Sequence, residues 1–236
     1  ATGEEMYCTQ DDAVNGVGTT TKAGKMSPKN LLTSTVTDQL KLATNFRSKV
    51  FGVSLKDRGG ILPAGHFADA AFWFDGESGN WISSTFYMNE LPKWLQKFND
   101  KKLTEKYLDK WNTLYPIDTY VQSEKDGNPY RENYKGLDKM QFPYDLKALK
   151  KANGLGLIRS TPFGNTLTKD IAIEIIDNEK LGQNAKGVTD FLAVSFSSTD
   201  YVGHQFSPNT IEAEDTYLRL DKDLEQLFTH LDQKVG

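Results

Sequence analysis

The chain has 236 residues, 38% of them apolar and 25% charged, with a net charge of -4. That is ordinary for a globular domain with a real core, and it gives no reason to expect nucleic acid or an anionic membrane as partner. No apolar stretch approaches the ~20 residues that span a bilayer, and the single cysteine, Cys8, excludes an internal disulfide and a cysteine-based zinc ribbon.

In chain order, residues 1–26 are polar and rich in Gly and Thr, and read as loop or extended arm. They open Ala1-Thr2-Gly3, with neither an initiator Met nor a signal-peptide pattern, so a processed or trimmed start is expected. Ser27-Pro28 has the chemistry of a helix start, and Leu31, Leu32, Val36, Leu40 and Ala43 then recur at helical spacing as far as about Phe46. Lys49–Leu55 is a short apolar strand, followed by a charged turn, Lys56-Asp57-Arg58-Gly59-Gly60. Residues 61–74 hold a turn and then a helical turn or strand, and Trp81–Tyr87 a strand. Leu91–Phe98 and Leu103–Trp111 read as short helices. Residues 112–150, with Pro116, Pro129 and Pro143, read as irregular, within an insertion expected over 97–150. A helix follows Thr161-Pro162-Phe163-Gly164-Asn165, then a strand over 190–196, then a long helix from Pro208-Asn209 with Tyr217, Leu220, Leu224, Leu227, Phe228 and Leu231 on one face. Helices and strands alternate, which predicts an α/β fold with a largely parallel sheet flanked by helices.

Two pairs of residues can carry chemistry. Asp200 and His204 follow the strand over 190–196, where open α/β sheets bind ligands. Carboxylate plus imidazole suits zinc, while the plainer alternative is a turn cap beside a surface histidine. Lys56 and Arg58 also follow a strand and suit a phosphoryl group, Arg as a fork and Lys as a point charge; the alternative is a solvated turn balanced by Asp57. His66 and His230 read as structural, Ser197, Ser198 and Thr199 as loop hydroxyls, and Gly154-Leu155-Gly156 as too short for a phosphate loop.

The stretches GEEMYCTQDD, GKMSPKNLL, KLATNFRSKVFGVSLKDRGGILPAGH, TPFGNTLT, FLAVSFSSTDYVGHQF and EDTYLRLD resemble the bacterial alkaline phosphatases with a threonine nucleophile, in the alkaline phosphatase / nucleotide pyrophosphatase superfamily. The resemblance implies zinc-dependent hydrolysis of phosphoric esters through a phosphothreonine, in a periplasmic or secreted enzyme with two zinc ions. It implies that Lys56 and Arg58 contact phosphoryl oxygens and that Asp200 and His204 are ligands of one zinc. Matches to the family's nucleophile, its phosphate-contacting asparagine and its other zinc ligands are missing from 1–236. The chain is therefore expected to be a partial domain, 1–236, of a longer enzyme, inactive alone. Self-association through sheet edges, a phosphodiesterase or pyrophosphatase activity, and a non-catalytic scaffold or cap are the other expectations.

Overall fold

The computed structural model describes residues 5–126, 132–184 and 187–236. Its main sheet has five strands: β1 (Gly16–Val17), β2 (Val50–Ser54), β3 (Ala70–Asp75), β4 (Asn80–Ser84) and β7 (Phe191–Ser195), in the order β1-β4-β3-β2-β7. β2 runs parallel to both β3 and β7, pairing Val53 with Phe72 and with Val194. β4 pairs antiparallel with both β3 and β1, so the sheet is mixed, with its parallel pairings among β3, β2 and β7.

Both faces of the sheet are covered, which is why β2 and β3 read as continuous apolar runs. Alternate residues of β3 go to opposite sides, as the pleat requires. Phe72 and Phe74 join Val53, Trp81, Leu167, Ile171 and Ile175 in the larger core, whereas Ala71 and Trp73 pack with Ile61 and Ile82. The first side carries helix α6 (Phe163–Glu179) and the second α2 (Asp57–Ala64). α2 lies close on β2: a Cβ on Gly52 would stand 2.0 Å from the Gly60 carbonyl oxygen. β7 is an edge strand, half-buried along its length, beside an open groove of about 440 Å³ lined by Leu192, Val194, Leu224 and Leu231. No described helix is long and apolar enough to cross a membrane.

Four expectations change. The first concerns the helix that follows residue 35. It is α1 (Val36–Ala43), and it starts at Thr35 rather than Ser27, through a capping box in which Thr35 accepts from the Asp38 N–H and Asp38 accepts from the Thr35 N–H. Ser27 instead donates to Asp11 at 2.7 Å, and Leu32 is 96% exposed. Second, Lys56–Gly60 is no free turn: Lys56 is the residue before α2, and Asp57–Gly60 form its first turn. Third, the segment carrying Asp200 and His204 is helical, within α7 (Ser198–Phe206).

Fourth, 97–150 is more ordered than its composition suggests, residues 127–131 lying outside the described ones. It holds the end of α3 (Lys93–Asp100), α4 (Leu103–Tyr107), a two-stranded sheet of β5 (Lys110–Trp111) with β6 (Tyr144–Asp145), and the start of α5 (Leu146–Asn153). An aromatic cluster supplies the missing periodicity. Trp111 and Tyr134 pack edge-on and Tyr144 tilted against Phe206, the last residue of α7, with Trp111 and Phe206 5.7 Å apart, and Phe142 packs edge-on against Trp111 and Tyr144. Asp215 of α8 (Ile211–Lys234) fixes the neighbouring loop, accepting from Trp111 Nε1 at 2.8 Å and the Leu114 N–H at 2.6 Å.

Candidate active site at the carboxyl ends of β2 and β7

Ser54 and Ser195 are paired last residues of adjacent parallel strands, and α2 and α7 begin just beyond them. Two helix N-termini therefore stand side by side at the carboxyl edge of the sheet, the usual place for a ligand in an open α/β sheet. The Ser54 and Ser197 hydroxyls are 2.8 Å apart, and Ser54 Oγ accepts the Lys56 N–H at 3.1 Å. Asn165 caps α7 from below, its Oδ1 accepting the Ser198 N–H at 3.1 Å. Small residues permit this approach: a Cβ on Gly164 would lie 2.2 Å from Ser198 Oγ, and one on Gly59 2.6 Å from Ser54 Oγ. Thr161–Asn165 thus serves as the floor under α7.

The structure brings all four predicted residues to this edge. Lys56 Nζ is ion-paired with Asp200 Oδ2 and lies 4.5 Å from the centre of the Tyr201 ring. Asp200 Oδ1 is 3.5 Å from His204 Nε2, one helical turn on. The hydrogen bond from Lys56, helped by the charges of His204 and Arg58, holds the Asp200 carboxyl below the usual carboxylate range against the opposing effect of burial. Arg58 Nη1 donates to Tyr7 Oη at 2.9 Å.

Asp200 and His204 are open to solvent, their side chains 50% and 82% exposed. An ionised carboxylate and an imidazole on one helical face fit two positions of a zinc site. Among the described residues, no group of three or more His, Cys, Asp or Glu could hold a metal, so the pair fits as a partial ligand set. His66 and His230 are engaged elsewhere, His66 between Asp38 at 3.0 Å and the Leu31 carbonyl at 2.8 Å, and His230 with Asp177 at 2.9 Å.

Tyr7, Thr9 and Tyr201 were not singled out from sequence. Tyr201 sits inside the Asp200–His204 spacing and could have been flagged by position; Tyr7 and Thr9 meet Asp57 only through the tertiary fold.

The model of the type I phosphodiesterase / nucleotide pyrophosphatase family matches residues 2–236. A Myroides odoratus protein named calcium-transporting ATPase is 62% identical over 237 residues, covering 100% of this chain and 43% of its own length. Alkaline phosphatase PhoV of Synechococcus elongatus is 54% identical, covering 99% and 42%; alkaline phosphatase PafA of Elizabethkingia meningoseptica is 53% identical, covering 99% and 43%. The crystal structure of wild-type PafA superposes with a TM-score of 0.94 at 52% identity, over 98% of this chain and 44% of that one. A second PafA structure carries substitutions of a threonine, an asparagine, and a lysine and an arginine two positions apart. The chain spans less than half the length of the curated relatives it matches. By its sequence over residues 2–236 and by its fold, the chain belongs to the type I phosphodiesterase / nucleotide pyrophosphatase family.

Proposed function

We propose that the full-length protein is a zinc-dependent phosphomonoesterase of the alkaline phosphatase type, periplasmic or secreted, and that this chain supplies two phosphoryl-binding cations and two zinc ligands. The observation that carries the reading is the convergence of Lys56, Arg58, Asp200 and His204 at the ends of β2 and β7. The lysine and arginine replaced in the PafA variant have the spacing of Lys56 and Arg58, which supports their assignment.

Arg58 would fork onto two non-bridging oxygens, and Lys56 would add a point charge. Lys56 has three N–H donors, and its pairing with Asp200 leaves others for the ester. Their combined charge is strongest where negative charge gathers in the transition state. Asp200, its carboxyl held below the usual carboxylate range by the pairing, is ionised at neutral pH. Asp200 and His204 would hold one zinc, which when bound acts as a Lewis acid toward an ester oxygen. The nucleophile and the remaining ligands would come from outside 1–236.

Two cations suit a dianionic monoester better than a monoanionic diester. The family's description favours a diesterase as the second reading. The test is to replace Lys56 or Arg58 by Ala in the full-length protein. Each should lower kcat/KM for p-nitrophenyl phosphate by about 10²–10³. An unchanged rate, or a faster rate on bis(p-nitrophenyl) phosphate in the unaltered protein, contradicts the reading.

A further inference from the structure

Of the two cations, Arg58 has the longer and more exposed side chain, and what fixes it is not on its own helix. Tyr7, in the arm that precedes the sheet, donates from its hydroxyl to Asp57 Oδ1 at 2.9 Å, and Arg58 Nη1 donates to the same Tyr7 oxygen at 2.9 Å. The direction of each bond is set by chemistry. A carboxylate only accepts and a guanidinium only donates, so the one Tyr7 proton goes to Asp57 and the Tyr7 lone pairs turn to Arg58. Asp57 thereby makes Tyr7 Oη a better acceptor.

The arm is firmly seated. Thr9, fully buried, donates to the same Asp57 oxygen at 3.0 Å. The Ser27 N–H donates to the Thr9 carbonyl at 2.8 Å, Gln10 bridges to Met26, and Asn30 Nδ2 donates to the carbonyls of Tyr7 at 3.2 Å and Gln10 at 3.1 Å. Tyr7 therefore approaches α2 from an independent and anchored segment, and Asp57 does more than balance charge.

We propose that Tyr7 is a positioning residue: its hydroxyl, oriented by Asp57, holds the Arg58 guanidinium so that the remaining N–H groups face the phosphoryl group. This rests on the phosphoryl-contact role proposed above for Arg58. Lys56 has its own supports, Asp200 and the Tyr201 ring, so loss of Tyr7 should disturb one cation and spare the other.

The test is a double-mutant cycle in the full-length enzyme with p-nitrophenyl phosphate, using inorganic phosphate as a competitive inhibitor. Tyr7→Phe keeps the ring and removes the oxygen. It should lower kcat/KM about tenfold and weaken phosphate inhibition by a similar factor, the scale of one hydrogen bond to a charged group. The thermal midpoint should hold. In the Arg58→Ala background the same change should have no further effect. Equal losses in both backgrounds, or a silent Tyr7→Phe beside a strong Arg58→Ala, overturn the positioning role alone. An Arg58→Ala enzyme with undiminished activity overturns both the positioning role and the assignment of Arg58.

Discussion

Asp38 is the joint between the start of α1 and the turn that ends α2, and replacing it by Asn should cost about 2 kcal/mol. Its carboxylate is buried and accepts four hydrogen bonds: from the Thr35 N–H at 2.8 Å, the His66 N–H at 2.7 Å, the Phe67 N–H at 3.0 Å and the His66 ring at 3.0 Å. Burial pushes the carboxyl up, but the His66 ring together with the Thr35 and Phe67 donors outweighs it and brings the value from 3.8 down to about 2. At about 1.4 kcal/mol per unit, that gap is worth about 2 kcal/mol at neutral pH. An amide keeps one acceptor oxygen and turns N–H groups on the other donors. Because the folded value of Asp38 is depressed, its contribution is complete above the unfolded value of 3.8 and is lost as pH falls through about 2. His66 is raised above 6.5, chiefly by the Asp38 hydrogen bond, so its share is complete below 6.5 and is lost as pH climbs through the raised value. The deficit of Asp38→Asn should therefore be larger at about pH 5.5 than at about pH 8.5. Urea unfolding followed by tryptophan fluorescence reads both. A deficit under about 0.5 kcal/mol at the lower pH, or one that grows toward the higher pH, refutes the reasoning.

Two further outcomes are expected. The 236-residue chain by itself should bind zinc weakly and leave p-nitrophenyl phosphate intact, because it offers Asp200 and His204 where a catalytic zinc uses three protein ligands; calorimetry showing tight, stoichiometric zinc would contradict this. Gly52→Ala drives a methyl into the Gly60 carbonyl and should destabilise by about 3 kcal/mol or more. A loss below about 1 kcal/mol in the same urea assay would show that α2 can move off β2 at little cost.

Strands β2, β4 and β7 are legible in the sequence as short apolar runs; β3 reads equally as a helical turn, and β1, β5 and β6, two residues each, leave no local pattern. The helix starts were not. Ser27-Pro28 has the look of a cap, yet Thr35 and Asp38, three apart at the N-cap and in the first turn of α1, form the actual capping box. Lys56–Gly60 and Ser198–His204 look like loops because they are short, polar and contain glycine, but the ends of β2 and β7 feed them directly into helices. The order within 97–150 comes from Trp111, Tyr144 and Phe206 meeting over long separations, which no local period reports. The candidate site shows the same division. Lys56, Arg58, Asp200 and His204 were found as strand-end pairs and through the resemblance. The Lys56–Asp200 contact depends on a parallel register that joins residues 144 positions apart, and the Tyr7 contacts with Asp57 and Arg58 on the packing of the N-terminal arm against α2.

The most direct test of the account is a crystal structure of the full-length protein with zinc and inorganic phosphate, with the metal located by anomalous scattering at the zinc edge. Zinc should be bound by Asp200 and His204, with phosphate oxygens on Arg58 and Lys56. Zinc held without either residue, or phosphate bound away from both cations, would contradict it.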